Sequence, residues 1–587
     1  MTPLGYSIQE LDNSVGKSDT FPELRGPDYS NKDWDDLLAL ISESQLLPEP
    51  TLSQALNRCS LNFLDRITRE TGLVHSFDCG TQEQREQVLM KLELQLSCGL
   101  RQASVSTLSS QPITEDEYMD LPGQESLGLL NTLNSFSQVW LDNPLSLKTH
   151  EILLLVKAVV EVKPRNSSVH LNWSPALEKE CLQFFSPPKL CKFLGLYWAI
   201  WHPNVNFVHR PTFDPMSAKP TLLAAMALIG ASVSPSQTDN ENARVWFDCV
   251  EEIVFTDEDF NSDLMYSTVD RISVHRRNIQ SLQAAYMVCL YQNWEGTDCS
   301  KSRIRRYRFA TLVSTARDIN IATATHVNYC KTQRYDFRWS DFAAREELIR
   351  VFIWIFLLDT AFVIFNNAPP RMTIKEMKMH MAVPEACFQA TSPNDCFETI
   401  QLILPEDNQY WDISFRSAFE SLCKSHVPPR SLHNLGSLGP LNLFALASAI
   451  HCLVFQHRNS FDGCQLPSAI HNSLRNWKDA WDVFSSAYSS SPSAHVTVDS
   501  TDLRPDIMWK RLGFSRFCPE YWSLASLIVD QLILRDTSEE RSDQYAQGQG
   551  SNPLDNLVSE KILDKYDQTS MRQVNDLIGE FQKFQIV

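Results

Sequence analysis

The sequence predicts an all-α protein, in which a large helical domain follows a disordered acidic N-terminal segment. Glycine is scarce, with 18 residues among 587, whereas strand-rich folds need many glycine turns. Hydrophobic residues make up 43% of the chain and charged residues 21%, so most of the chain has the composition of a folded protein. From about residue 128 onward apolar positions recur with helical spacing, and no strand–helix alternation or fixed repeat interrupts them.

The N-terminal segment, residues 1–50, is polar, punctuated by proline and acidic. It holds ten Asp or Glu residues against three Lys or Arg residues, which predicts disorder. Within it the stretch DWDDLLALI mixes carboxylates with bulky apolar side chains, as a segment that folds against a hydrophobic groove would. It is a candidate activation segment, and the alternative is the start of an ordinary surface helix. The candidate residues are Trp34, Leu37, Leu38, Leu40 and Ile41.

The rest of the chain divides into three parts. Residues 51–127 are predicted as a helical segment and linker, with one helix over about 52–67, a second over 83–97 and the linker over 101–127. Residues 128–400 form the core of the helical domain, and residues 401–587 form its C-terminal extension. Within this extension the polar stretches 489–493 and 537–556 are predicted as loops.

The most apolar stretch, VFIWIFLLDTAFVIF at 351–365, is predicted to be a helix that is buried on all sides. It is shorter than a membrane span and contains Asp359, so we expect a soluble protein without a membrane partner. Arg350 precedes this stretch and Asp359 lies within it. Because buried ions need partners, we predict structural roles for both. Elsewhere, Pro220 is predicted to be the first residue of a helix that ends near Gly230.

The chemistry-bearing residues form no catalytic or metal-binding pattern. The fifteen cysteines are odd in number and no two lie three positions apart, which indicates reduced intracellular thiols rather than disulfides or a zinc finger. Gly16-Lys17-Ser18 resembles the end of a phosphate loop, but Leu11 stands where that loop needs glycine. His150-Glu151 lacks a second histidine at helical spacing. We therefore predict no catalytic residues, no metal and no cofactor.

Two basic clusters stand out against the formal net charge of −19. One contains Arg271, His275, Arg276 and Arg277; the other contains Arg303, Arg305, Arg306 and Arg308. Dense arginines can bind phosphates or act as a nuclear import signal. In a helix, however, Ile304, Tyr307, Phe309 and Leu312 would face a core. In so acidic a chain we expect the arginines to pair with internal carboxylates.

The order of several helices resembles a known family. The stretch LGLYWAIWHPNVNFVHRPTFDP, beginning at residue 194, resembles the opening of the fungal-specific transcription factor regulatory domain, also called the middle homology region. His202, Pro203, His209, Arg210, Pro211, Thr212 and Phe213 fill the turn of that family. A later block resembles its acid, arginine, aromatic, aspartate and proline order, with Glu346 or Glu347, Arg350, Phe352, Trp354, Phe356, Asp359 and Pro369-Pro370. The resemblance covers about 140–400 well.

Residues 60–81 are similar to a segment of one branch of these regulators, whose members usually carry paired two-cysteine, two-histidine zinc fingers before it. No zinc-ligand spacing precedes Cys59, which suggests either action through a DNA-bound partner or a gene model that lost its first exon. The resemblance implies a nuclear regulator of a metabolic or secondary-metabolite gene set. Its expected partners are other regulators or the transcription machinery, with indirect DNA contact; a homodimer is compatible. The alternatives are a metabolite-binding helical module and an enzyme of unknown class.

Overall fold

The structure is a computed structural model that describes residues 61–70, 72–107, 143–163, 167–261, 272–404, 409–460, 467–490, 503–546, 574–575 and 577–579. The chain divides into two units, Met1–Asn57 and Arg58–Val587, and all described residues belong to the second. No β-strand occurs among them, apart from an isolated bridge between His380 and Ser414. The predicted all-α fold class is confirmed.

Twelve helices lie before residue 320 in the described ranges. In chain order they are α1 (Asn62–Arg69), α2 (Leu73–Ser76), α3 (Gln82–Thr107), α4 (Leu145–Glu161), α5 (Pro175–Phe184), α6 (Pro187–Leu196), α7 (Pro220–Ser232), α8 (Gln237–Phe255), α9 (Glu258–Asn261), α10 (Ile272–Glu295), α11 (Asp298–Arg303) and α12 (Phe309–Asp318). Two π-helical turns, Tyr197–Trp201 and Ile304–Arg308, extend α6 and join α11 to α12.

Nine further helices follow in the described part of the C-terminal half. They are α13 (Trp339–Asn366), α14 (Glu385–Phe388), α15 (Pro393–Ile403), α16 (Phe415–Leu422), α17 (Pro429–Ser437), α18 (Pro440–Arg458), α19 (Ser468–Ser490), α20 (Pro505–Met508) and α21 (Cys518–Ala546). Short 3₁₀ turns connect helices in both halves, including His202–Asn204 and Arg210–Thr212 between α6 and α7 and Phe514–Phe517 before α21.

Helix α7 forms the centre of the N-terminal half. It begins at Pro220, as predicted, and every residue from Thr221 to Ser232 is buried. It packs against α6, α8 and α10, which explains why the sequence shows no polar stripe along it. Gly230 permits the closest of these approaches, because a Cβ there would lie 2.0 Å from the carbonyl oxygen of Phe193 on α6.

Helix α13 joins the two halves, since it packs against α10 on one side and α18 on the other. The apolar stretch predicted as a buried helix lies within it and is buried. At 28 residues α13 is longer than the apolar stretch, and both α13 and α18 have the length and hydropathy of a membrane span. Their most apolar windows are 89% and 78% buried inside the protein, so packing accounts for their composition.

Two boundaries differ from the sequence prediction. Helix α3 continues through residues 101–107, which were predicted to belong to a linker, and α21 continues through 537–546, predicted as a loop. Both stretches are polar, but neither contains proline or glycine, so nothing in the backbone ends the helix. The first glycine or proline after α21 is Gly548.

Candidate functional site

The candidate activation segment, with Trp34, Leu37, Leu38, Leu40 and Ile41, lies outside the described residues. The second basic cluster, most of the first, the family turn and the acid–arginine block lie within them. The basic clusters are the features that would distinguish a phosphate-binding surface from a structural network. Whether their arginines are free or already paired with carboxylates therefore bears directly on whether the helical domain binds phosphates.

Arginines of the second basic cluster bind carboxylates on α8. Arg303 Nε lies 2.7 Å from Glu251 Oε1, and its Nη2 lies 2.8 Å from Asp248 Oδ1. Arg308 contacts the same Glu251 oxygen at 2.9 Å and Glu252 Oε2 at 2.8 Å. Because Glu251 is fully buried, these ion pairs hold α11 and the following turn against α8. The prediction that the arginines pair with internal carboxylates is confirmed for these two.

The prediction that Tyr307 faces the core is wrong. Ile304, Phe309 and Leu312 are fully buried as expected, but the side chain of Tyr307 is 66% exposed. Residues 304–308 form a π-helical turn, which adds a residue to the turn and changes the direction of the side chains within it. Helical periodicity in the sequence cannot reveal such an insertion, because it assumes 3.6 residues per turn throughout.

The described part of the first basic cluster is also engaged within the protein. Arg276 Nη2 donates to the carbonyl oxygen of Thr212 at 3.2 Å. Arg277 Nε lies 2.9 Å from Asp259 Oδ2, and Lys219 Nζ lies 2.7 Å from the same oxygen. These contacts attach the start of α10 to the family turn and to α9. Arg271 and the side chain of His275 lie outside the described residues.

The first part of the family turn packs against the C-terminal extension. The buried ring of His202 lies against Trp198, with centroids 4.8 Å apart and the ring planes tilted by 60°, and its centroid is 6.4 Å from that of Trp509. The Arg210 guanidinium lies over both tryptophans, at 5.8 Å from Trp198 and 5.2 Å from Trp509. Gly513 touches Pro203 so closely that a Cβ would lie 1.9 Å from the Pro203 oxygen. The motif thus joins residues more than 300 positions apart.

The second part of the turn docks on α13. The backbone N–H of His209 donates to Glu347 Oε1 at 2.7 Å, and His209 Nδ1 lies 2.8 Å from Thr212 Oγ1. Burial lowers the pKa of His209 to about 3, so its imidazole is neutral. Burial raises the pKa of Glu347 to about 7, although the His209 amide opposes the change.

Arg350 connects α13 to α14 and to the loop before it. Its Nε donates to Glu346 Oε1 at 2.7 Å, its Nη1 lies 3.1 Å from Glu385, and its Nη2 donates to the Val383 carbonyl at 3.0 Å. Glu346 also contacts His326 Nε2 at 2.8 Å. Burial opposes ionisation of Glu346, but Arg350 and His326 outweigh it and lower its pKa. The predicted structural role of Arg350 is confirmed by these partners.

Asp359, the other ion predicted to be structural, caps the loop after α13. Its Oδ2 accepts from the backbone N–H groups of Arg371 and Met372, at 2.8 and 2.7 Å. Burial nevertheless raises its pKa to about 6. The acids and bases of the family motifs therefore fix loops to α13. Among the described residues no group of three or more His, Cys, Asp or Glu side chains could hold a metal ion.

A separate feature lies at the N-terminal edge of the described chain. The described residues of 61–80, called the strap below, contain α1 and α2 and are held against residues of the family turn, α10, α21 and the 3₁₀ turn before α21. The N-cap residues, Leu61 and Gly72, provide no side-chain cap. Instead Glu520 Oε2 accepts from the N–H groups of Phe63 and Leu64, at 2.9 and 3.0 Å.

The second strap helix begins in the same way. Glu295 Oε1, at the end of α10, accepts from the N–H of Leu73 at 2.7 Å. The sequence did not single out Glu295 or Glu520. The available signal was the absence of Ser, Thr, Asp or Asn at the N-cap position of α1, which leaves N–H groups that need an acceptor from elsewhere.

Aromatic side chains complete the attachment of the strap. Phe63 stacks on Phe517 with centroids 3.7 Å apart. Phe77 lies against Trp201, Trp294 and Phe514, with centroids 4.7, 5.4 and 5.1 Å away. We call the receiving surface the aromatic groove; it is formed by Trp201, Trp294, Phe514, Phe517 and the carboxylates of Glu295 and Glu520.

A second surface feature is an open groove between α17 and α19, with a volume of about 550 Å³. Its lining includes the apolar side chains of Leu432, Val483 and Ala487 and the carboxylates of Asp479 and Asp482. Asp482 is paired with Lys478. This surface is small and only weakly charged, so it does not by itself specify a ligand.

The chain belongs to a family of regulators. Residues 194–493 match the fungal specific transcription factor domain, and the chain is therefore a member of this family and a regulator of transcription. It is 53% identical over 590 residues to "Transcription factor verF" from Penicillium polonicum, in an alignment that covers 100% of this chain and 79% of the relative. No solved structure matches the chain.

Proposed function

We propose that this protein is a nuclear, non-catalytic regulator of a metabolic or secondary-metabolite gene set. Its helical domain acts by binding proteins, either other transcription regulators or the transcription machinery, and reaches DNA indirectly. A second copy of the chain is among the partners that helical faces can accept. The family assignment and the relative's name support the role in transcription.

The observation that carries the proposal is that three arginines of the basic clusters are paired with carboxylates of the same chain. Arg303 and Arg308 bind Glu251, and Arg277 binds Asp259, so these guanidinium groups already have carboxylate partners. DNA phosphates would have to compete with ion pairs at 2.7–2.9 Å, one of whose carboxylates is fully buried. The net charge of −19 further opposes approach to a phosphate backbone.

A map of where the tagged protein sits on chromatin, combined with transcript levels in a deletion strain, tests the regulatory part. We expect discrete promoter peaks that coincide with coherently changed genes. Purified chain should bind labelled DNA from those peaks only when nuclear extract is added. Tight, sequence-specific binding by the purified chain alone at physiological salt would contradict indirect DNA contact, and a chromatin map without peaks would contradict the regulatory proposal.

The acidic segment is proposed to contact the transcription machinery through its apolar side chains. We expect the triple variant Trp34→Ala, Leu37→Ala, Leu38→Ala to lower the activity of a promoter-tethered reporter at least about fivefold, because hydrophobic anchors dominate such contacts. The matched control replaces Leu4, Tyr6 and Ile8 with alanine in the same acidic stretch. Equal reporter activity from the parent and the triple variant, at equal protein levels, would remove the activation segment from the proposal.

A further inference from the structure

The strap has little capacity to hold its own structure. Its helices contain eight and four residues, whereas isolated helices shorter than about 12–15 residues are marginal in water. Neither begins with a capping side chain, and the N–H groups at their starts are satisfied by Glu520 and Glu295 from elsewhere in the chain. Its helical conformation therefore depends on contact with the aromatic groove.

The contacts have the pattern of peptide recognition. Two aromatic anchors, Phe63 and Phe77, are 3% and 5% exposed in the groove. Two carboxylates of the groove face the positive ends of the strap helices. A charged contact at the edge completes the set, since Asp78 pairs with Arg516 of the groove side and, at 3.0 Å, with Arg66 of the strap. Such anchors flanked by polar contacts are typical of a peptide in its binding site.

The groove itself is supported without the strap. Phe514 packs on Phe444 and Tyr521 with centroids 5.4 and 6.1 Å away, and Trp201 lies in the buried π-helical turn Tyr197–Trp201. Helix α21, which carries Glu520, packs on α18. The receiving surface thus belongs to the helical core, whereas the strap adds to it from outside.

We propose that the aromatic groove is a peptide-binding surface whose ligand is the strap of the same chain, and that the strap binds and leaves it as a unit while the helical core stays folded. In the chain the strap follows residues 1–60, which contain the predicted activation segment. A competing ligand would be an amphipathic peptide with two aromatic anchors spaced like Phe63 and Phe77. This inference does not depend on which genes the protein regulates.

Binding of the strap in trans tests the proposal. The probe is a fluorescently labelled peptide of residues 61–80, titrated with full-length chain under reducing conditions and followed by anisotropy. In the wild-type chain the tethered strap competes at a high effective concentration. The double variant Phe63→Ala, Phe77→Ala weakens the tethered strap and leaves the groove unchanged. We expect it to bind the peptide at least about tenfold more tightly than the wild type does.

Two controls identify the surface. Adding Glu520→Ala to the double variant should weaken peptide binding about tenfold, because two N–H groups lose their acceptor. A peptide with both phenylalanines replaced by alanine should not bind. The proposal is overturned if the double variant binds the peptide no better than the wild type does, since the strap would then be an inseparable part of the core.

Limited trypsin digestion of the wild-type chain tests the separate release of the strap without any substitution. Cleavage after Arg66 or Arg69 requires the strap to leave the groove and extend, whereas cleavage after Arg350 requires the core to open. We expect the strap sites to be cut at least about tenfold faster than the Arg350 site. Equal rates would show that the strap opens only with the core and would contradict the proposal.

Discussion

Helix α13 and the strap are both joined to other parts of the chain through carboxylates, but in different ways. Glu346 on α13 is fully buried and faces a cation, Arg350, that is buried with it. Glu520 is partly exposed and accepts from the backbone of the strap, with Arg66 as its nearby cation. Separating Glu346 from Arg350 would leave a buried charge without its partner, whereas separating the strap from Glu520 would not.

The pKa values of the two carboxyl groups express this difference. Arg350 and His326 outweigh the effect of burial and lower the pKa of Glu346, so its ionised form is stabilised by folding. Burial raises the pKa of Glu520 to about 7 against the weaker effects of the Leu64 and Phe63 amides and Arg66. We therefore expect the ion network at the centre of the domain to stay charged, whereas the strap contact should change with pH near neutrality.

The largest expected effect follows from removing the central cation. Arg350→Met leaves Glu346 and Glu385 without this partner in the interior, and we expect the free energy of unfolding to fall by about 3–5 kcal/mol. Urea denaturation followed by circular dichroism measures it. Arg416→Met, which removes an exposed pair with Glu420, is the control and should change the value by at most about 0.5 kcal/mol. A wild-type midpoint for Arg350→Met would contradict a permanent network at the centre.

A smaller effect is expected where the family turn meets the C-terminal extension. Gly513→Ala would place a Cβ about 1.9 Å from the Pro203 oxygen, and the required shift should destabilise the protein by about 1–3 kcal/mol. Gly579→Ala is the matched control, since no described residue lies within 4 Å of its added Cβ, and alanine should be neutral or slightly stabilising there. Equal melting temperatures for the two variants would show that this contact does not join the two regions.

The smallest effect concerns the pH dependence of the strap. Burial raises the pKa of Glu520 from about 4.5 to about 7 although the strap N–H groups lower it, so the folded chain binds the extra proton, and the packing around Glu520, including the strap contact, should weaken as pH rises through this range. Arg66 on the strap and Tyr521 beside Glu520 are the titratable groups that face it. Glu520 is partly exposed, so solvent screening reduces the effect. We expect the exchange rates of strap amides, each divided by its intrinsic rate, to be roughly threefold higher at pH 8 than at pH 5.5.

Glu520→Gln provides the control for that measurement. Its amide oxygen can accept from both strap N–H groups, as Glu520 Oε2 does, but it does not titrate. The strap should therefore stay docked and lose its pH dependence. If the variant keeps the full pH dependence of the wild type, another group controls the docking.

Sequence reasoning predicted the centre of the molecule better than its edge. Pro220, the apolar stretch within α13 and the buried Arg350 carry strong local signals, because a proline position, a long apolar helix and a charge within it each have few structural solutions. The extension of α3 and α21 beyond their predicted ends was missed. Those stretches are polar, and polarity alone does not distinguish a loop from an exposed helix.

The contacts made by residues of the candidate surfaces could not be predicted from local sequence patterns. Tyr307 was placed on the wrong side because a π-helical turn changes the periodicity. Glu520 and Glu295 bind strap helices that lie 457 and 222 positions away in sequence, so neither was recognisable as a cap. The pairing of Arg303 and Arg308 with carboxylates was predicted from the charge balance, but their shared partner Glu251 was not.

Hydrogen–deuterium exchange of the full-length wild-type chain, read by mass spectrometry, tests the contrast between the two regions most directly. We expect the amides of residues 62–69 to exchange together, at least about tenfold faster than those of residues 349–360 at the centre of α13, and we expect Glu520→Ala to accelerate exchange only in the strap. Coincident exchange of both regions in the wild type, or an unchanged strap in Glu520→Ala, would contradict the claim that the strap is a separable ligand of a permanent core.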